Sequence, residues 1–251
     1  MSLKAMSTIK FKPCGKPYMT KVVLVAGGQL EELPSDVDVW VGVDRGSLYL
    51  IEQGITPDLA VGDFDSVSQQ EFELIQKQAK EVLCARPEKD DTDLELAVTA
   101  AFEHYPNANV TIFAAFGGRI DHTLANVFLP SNPKIAPYME RLALQDEQNL
   151  LTYRPAGKHL IDPVEGMAYV AFMPTQDIAL TIEGAKYPLN EKNFFFKKVY
   201  ASNEFIGRPI SLSFDSGYVV IMYSKDRNFY RKLFECLFVY VHAVSYTHLR
   251  A

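Results

Sequence analysis

Positive charge is scarce in this chain. Twenty-five lysines and arginines face 31 aspartates and glutamates, a formal net charge of −6, and the basic residues nowhere form a run. Nucleic-acid binding driven by phosphate neutralisation is therefore disfavoured. A small anionic ligand carrying its own metal ion stays compatible, because local charge decides there. Cysteine is scarce too: Cys14, Cys84 and Cys236 are odd in number and far from any CxxC spacing. That argues against a disulfide framework or a thiolate zinc site, and for reduced thiols in the cytoplasm. No secretory-type apolar stretch opens the chain. The apolar run at 233–244 is shorter than the roughly 20 residues of a membrane helix. Neither GxGxxG nor GxxxxGK[ST] is present, so the two common nucleotide fingerprints do not apply.

What is present is a set of buried-looking strands that end in acid or glycine. "KVVLVAGG" (21–28), "VDVWVGVD" (37–44), "DLAVGDFDS" (58–66) and "NVTIFAAFGG" (109–118) are continuous β-branched and apolar runs. Strands of that texture are buried on both faces. Helices are expected between them: 46–53, closed by Gly54; a helix capped by Ser68 with Glu71; one capped by Thr92 with Glu95; and 121–129, stopped by Pro130. Alternating strands and helices predict a parallel sheet with helices on both faces, whose ligands bind at the strands' C-terminal ends. Asp44, Asp63, Asp65, "KDDTD" (89–93) and Gly117–Asp121 all fall there.

Past residue 150 the texture changes. "MAYVAFMP", "IALTIEG", "ISLSF" and "GYVVIMYS" are β-rich pieces between Gly, Pro, Asn and Asp. They predict an antiparallel β-sandwich. The expected fold class is α/β: a parallel-sheet domain over 20–148, then a smaller antiparallel β-sandwich domain over 149–228. The fold is expected to begin at Lys21, which makes Met19 a candidate start. It is not followed beyond about Phe229, and the terminal "VSYTHLRA" resembles a translated adapter read.

In "VGDFDSV" (61–67), Asp63 and Asp65 are two apart. On a strand they would share a face and repel unless a cation lay beside them. Mg²⁺ takes one or two carboxylates together with phosphate oxygens and water. The bland alternative is one aspartate capping a turn and one solvated. "KDDTD" places Lys89 and three aspartates at a helix start. The helix dipole accounts for one or two such acids. A metal–phosphate site accounts for all, with Lys89 as a point charge facing phosphate. In "FGGRIDHTLAN" (116–126), Asp121 fits an N-cap, and His122 and Asn126 share a helix face. Ser202 and Asn203 in "YASNEF" fit a turn.

Taken together, "GVDRGSLYLIEQGITPDLAVGDFDSV", "PEKDDTDLELAV", "GGRIDHTLAN" and "SNEF" resemble the motifs of bacterial thiamine pyrophosphokinases (thiamine diphosphokinases) in order and spacing, over about residues 20–228. The resemblance implies a homodimer that moves a pyrophosphoryl group from ATP to the hydroxyl of thiamine, giving thiamine diphosphate and AMP. By motif, Asp63, Asp65 and Asp93 would hold Mg²⁺. Asp44, Lys89 and Asp90 would line the ATP side. Arg119, Asp121, His122 and Asn126 would shape the reacting centre. Arg119 would share the phosphate charge, and Asp121 would orient the hydroxyl or accept its proton. Ser202 and Asn203 would reach the thiamine pocket from the sandwich. A tryptophan that some relatives set against thiamine is missing, since the single Trp is Trp40.

Two rival readings differ in class. "DFDSV" resembles the nucleophile motif of haloacid-dehalogenase phosphatases, although here it lies on the third strand and "KDDTD" follows within one helix. A nucleotide or thiamine sensor could keep the pocket without turnover.

Overall fold

The computed structural model describes residues 18–30, 32–86 and 90–226. Lys89, the expected N-terminal extension and the apolar run at 233–244 lie outside them.

The first half alternates as its sequence requires. The strands are β1 (Thr20–Val25), β2 (Val39–Val43), β3 (Leu59–Gly62), β4 (Val82–Cys84), β5 (Ala108–Phe113) and β6 (Leu142–Gln145); the helices are α1 (Arg45–Glu52), α2 (Gln69–Gln78), α3 (Asp93–His104) and α4 (Ile120–Val127). The parallel strands run in the order β6-β5-β1-β2-β3-β4. Alternate residues of β1 serve opposite faces. Val22 and Leu24 pack with α3, while Val23 and Val25 join a separate cluster with Leu50 of α1. Both faces are covered by helices, which is why these strands read as unbroken apolar runs.

Both expected capping boxes are formed. Ser68 Oγ accepts from Glu71 N, and Glu71 Oε2 accepts from Ser68 N at 2.7 Å. Thr92 Oγ1 accepts from Glu95 N, and Glu95 Oε2 accepts from Thr92 N at 2.8 Å. α4 begins one residue earlier than expected. Arg119 is its N-cap, so Asp121 lies in the first turn and does not cap it. The chain then passes through two 3-10 turns, Leu129–Ser131 and Ala136–Arg141, and Pro130 sits inside the first.

The β-rich half consists of β7 (Asn149–Ile161), β8 (Tyr169–Pro174), β9 (Thr181–Glu183), β10 (Tyr200–Asn203) and β11 (Ile210–Ser224). "ISLSF" and "GYVVIMYS" were expected as two strands and are one. The residues between their apolar parts form a bulge between Phe214 and Tyr218, with Gly217 at φ +69°. Such an insertion bends a strand without ending it. The outer ends of β7 and β11, with β9, and their inner ends, with β8 and β10, enclose one core. It holds Ile161, Leu212 and Phe214 from one side and Phe172, Val219 and Ile221 from the other.

The two halves share a sheet. β6 pairs parallel with β5 and antiparallel with β7, so hydrogen bonding is continuous from β4 to β10. β11 serves both cores: Val219, Ile221 and Tyr223 face the β-rich core, and Tyr218 and Val220 face the α/β core.

Candidate active site

The site lies where β2, β3 and the start of α3 meet. β2 and β3 are in register at Val43↔Val61, which sets their tips side by side. Asp44 follows the first tip and Asp63 the second. Asp93 is the first residue of α3. One carboxylate oxygen from each of these three lies within 4.8 Å of the other two, a group able to hold a metal ion. All three are half-buried.

The backbone is bent to make this meeting. Asp44 has φ +48° and Phe64 has φ +58°. A left-handed φ is unfavourable for a bulky side chain such as Phe64. Two interactions offset it. Phe64 N donates to Asp44 Oδ1 at 3.0 Å. The Phe64 ring is buried with Leu48, Ala60 and Ile75, its centroid 4.9 Å from that of Phe72. Gly62 is required by proximity, since a Cβ there would lie 2.0 Å from Asp44 Oδ1. Ala114 and Ser202 are the other non-glycine residues with positive φ among those described. Backbone strain of this kind collects at functional sites, and each of the four lies in or beside a motif singled out from the sequence.

The same bend separates Asp63 from Asp65. β3 ends at Gly62, and the turn at Phe64 removes the shared strand face that their spacing suggests. Asp63 Oδ1 accepts from Asp65 N at 3.2 Å, and Asp65 is exposed. Asp44, rather than Asp65, joins Asp63 and Asp93. Its membership had a sequence signal: an acid at a strand end, with a glycine at the adjacent strand end to make room.

Electrostatics mark Asp44 further. Burial, then the Asp93 carboxylate, raise its pKa from 3.8 to about 7, and Asp63 and Asp65 push the same way. The Phe64 N–H opposes the shift. Carboxylates crowded like this favour a proton or a cation between them. The donor set therefore fits a hard divalent cation that prefers oxygen ligands.

The remaining residues singled out are spread around this centre. Asp90 is exposed. Arg119 and Asp121 form an exposed two-point pair, Nε to Oδ1 at 3.1 Å and Nη2 to Oδ2 at 2.5 Å. This pairing holds the Asp121 carboxyl below the usual range. His122 is exposed, its N–H donating to Asp121 Oδ1 at 3.0 Å. Asn126 Nδ2 donates to Ala115 O at 2.8 Å, tying α4 to the turn after β5. Ser202 is exposed at the end of β10. Asn203 is only 3% exposed. Its Oδ1 accepts from Tyr187 N and Glu204 N, and its Nδ2 donates to Tyr187 O at 2.8 Å. Asn203 thus braces the loop that carries exposed Tyr187. Asp91, counted from the sequence within "KDDTD" but given no role of its own, is bound by Asn132 and Lys134.

No helix among the described residues is long and apolar enough to cross a membrane. Comparison with known proteins agrees with the motifs. The model for the thiamin pyrophosphokinase catalytic domain matches residues 30–136, and that for the thiamin pyrophosphokinase vitamin B1 binding domain matches 158–219. Thiamine pyrophosphokinase of Bacillus subtilis (strain 168) is 36% identical over 217 residues, covering 83% of this chain and 100% of that protein. A crystal structure of a thiamin pyrophosphokinase family protein from Enterococcus faecalis superposes with a TM-score of 0.77 at 38% identity, over 83% of this chain and 100% of that one. The Candida albicans enzyme shares the fold at TM-score 0.68 with 15% identity, over 83% and 90% of the two chains. With two family models matched in order and the bacterial relatives spanned from end to end, this chain belongs to the thiamin pyrophosphokinase family.

Proposed function

We propose that residues 20–148 bind ATP with Mg²⁺, that residues 149–228 bind thiamine, and that the two meet at the strand tips. The chain is a thiamine diphosphokinase, transferring a pyrophosphoryl group from ATP to the thiamine hydroxyl. The thiamine oxygen forms a bond to the β-phosphorus and gives up its hydroxyl proton to water. The bond from that phosphorus to the α–β bridging oxygen breaks, and AMP departs with that oxygen. The observation that carries the site assignment is the convergence of Asp44, Asp63 and Asp93 from three separate elements.

In this reading Asp44, Asp63 and Asp93 hold Mg²⁺, with exposed Asp65 adding negative charge beside them. A bound Mg²⁺ would neutralise phosphate oxygens and polarise the transferred group. Asp90, and Lys89 on sequence grounds, flank the nucleotide. Arg119, exposed and paired with Asp121, shares the charge that develops on the phosphate. Asp121, kept ionised by Arg119, accepts a hydrogen bond from the thiamine hydroxyl and orients it. A carboxyl with a depressed pKa is a weak general base. His122 and Asn126 shape the wall beside it, Asn126 by fixing α4 to Ala115. Ser202 faces thiamine, and Asn203 acts through the Tyr187 loop it braces.

Two further assignments belong to this reading. α4 buries none of its residues and exposes Ile120 (74%), Leu124 (51%) and Phe128 just beyond it, one apolar stripe at helical spacing. Such a stripe beside a site suits a partner subunit, which supports a homodimer. The odd cysteine count and exposed, unpaired Cys84 support a cytoplasmic setting.

The test is a product assay on thiamine, ATP and Mg²⁺ by mass spectrometry. Thiamine diphosphate and AMP should appear together. Orthophosphate released from a phosphomonoester without AMP would restore the phosphatase reading. Binding of both substrates without product would restore the sensor. Neither is favoured by the family comparison.

A further inference from the structure

We infer that Asn132 and Lys134 are positioning residues for the acidic centre, holding the first turn of α3 so that Asp93 meets Asp44 and Asp63. The inference rests on the metal-binding reading of those three carboxylates.

The chain reaches Asp93 from β4, a three-residue edge strand with no buried residue. The Thr92–Glu95 capping box closes the helix start upon itself. It satisfies the free N–H groups but does not set where that turn lies relative to β2 and β3. Leu94 and Ala97 seat α3 on β2 and β3 by apolar packing, and bonds from the segment after α4 add a directional hold on its first turn. Asn132 Nδ2 donates to Asp91 Oδ1 and to Glu95 Oε1, both at 3.1 Å. These two acids stand two residues before and two residues after Asp93. Lys134 Nζ reaches Asp91 Oδ2 at 2.6 Å, and Lys134 N donates to Asn132 Oδ1 at 3.0 Å. Every polar atom of the Asn132 amide is engaged, so its orientation is fixed.

The segment bearing the clamp is itself anchored. Leu129, Pro130 and Ile135 are buried. Ser131 Oγ lies 2.8 Å from the Tyr218 hydroxyl of β11. The clamp therefore joins Asp93 to the strand shared by both cores, through residues that directly follow α4. Lys134 is 58% exposed, and an ion pair so open to water adds little to folding stability. Its larger consequence is geometric: it fixes Asp91 beside a ligand whose carboxylate must lie correctly.

The experiment measures Mn²⁺ binding to the full chain without ATP or thiamine, by counting free Mn²⁺ with electron paramagnetic resonance, and records a thermal melt for each variant. Wild type should bind Mn²⁺ and Asp63→Asn should lose it. Equal binding by those two would overturn the metal reading, and this proposal with it, before any clamp variant is consulted. Given that difference, Asn132→Ala and Lys134→Ala should each weaken Mn²⁺ affinity about tenfold, the range seen when partners of metal ligands are removed, with little change in melting temperature. Lys134→Arg, which keeps the charge, should restore most of the affinity. Lys80→Ala, which removes the Lys80–Asp58 pair, should change nothing. Wild-type affinity in both Asn132→Ala and Lys134→Ala, or a lowered melting temperature with unchanged affinity, would overturn the proposal and leave these residues a purely structural role.

Discussion

The α/β half and the β-rich half use strands in opposite ways. In the first, β2 and β3 end at the candidate site, and the residue after each strand is the one brought there: Asp44 after β2, Asp63 after β3. In the second, strands pair antiparallel, and a buried polar residue holds a loop. Asn203 is the example, its amide consumed by Tyr187 and Glu204. A parallel sheet delivers side chains directly because every strand points the same way. An antiparallel one delivers loops, whose shape depends on remote pairing.

That contrast can be broken by substitution, and the largest effect belongs to the strand tips. Asp63→Asn and Asp93→Asn should each reduce turnover by about 10³-fold, the scale of losing a principal electrostatic group, with little change in melting temperature. Asp65→Asn, outside the group of three, should lose clearly less. Equal losses at all three positions, read from initial rates, would place Asp65 in the metal shell after all.

Next in size is Gly62→Ala. The added methyl would press on Asp44 Oδ1. Overpacking of this kind costs about 1–3 kcal/mol. Here it should also cut turnover, because the displaced group is a site carboxylate. Turnover and denaturation midpoint measured together decide it: a loss of stability with full turnover would mean Asp44 tolerates displacement. Asn203→Ala should show the converse pattern. Leaving the Tyr187 backbone unpartnered costs about 1–3 kcal/mol. The Michaelis constant for thiamine should rise while Mn²⁺ affinity stays constant. Weakened Mn²⁺ binding in that variant would dissolve the division of labour between the halves.

A smaller effect follows from Asp44. Its pKa is about 7 in the folded, metal-free chain, against an ordinary 3.8. The folded state binds the extra proton between those values. This group's stabilisation is therefore complete below about pH 3.8 and is lost as pH rises through about 7. Metal-free wild type should lose stability relative to Asp44→Asn over that window, and the thermal shift caused by Mg²⁺ should grow as pH rises through 7. A pH-independent difference between the two chains, followed by denaturant titration, would rule out the crowding of carboxylates as its cause.

Legibility followed the same division. The α/β strands, the capping boxes at Ser68 and Thr92, and the acidic tips were readable because each is set by residues near in sequence. The pairing of Asp63 with Asp65 on one strand face was misread. Periodicity presumes an extended backbone, and Phe64 turns left-handed with help from Asp44, twenty positions earlier. Asp121 looked like a cap, yet the helix begins sooner at Arg119. "ISLSF" and "GYVVIMYS" looked like two strands because Asp215 and Gly217 fall between their apolar parts, but pairing with β7 on both sides of the break carries β11 through. Asn132 and Lys134 carried no signal, since their partners lie about forty residues away.

The two-faced strand β11 has a consequence for the molecule as a unit. Because Tyr218 and Val220 finish one interior while Val219 and Ile221 finish the other, cutting the chain at residue 148 would leave the α/β half with a raw oily flank. Such a fragment should bind a hydrophobic dye and aggregate where the intact chain does not. The β-rich half is thus a wall of the α/β half's own interior.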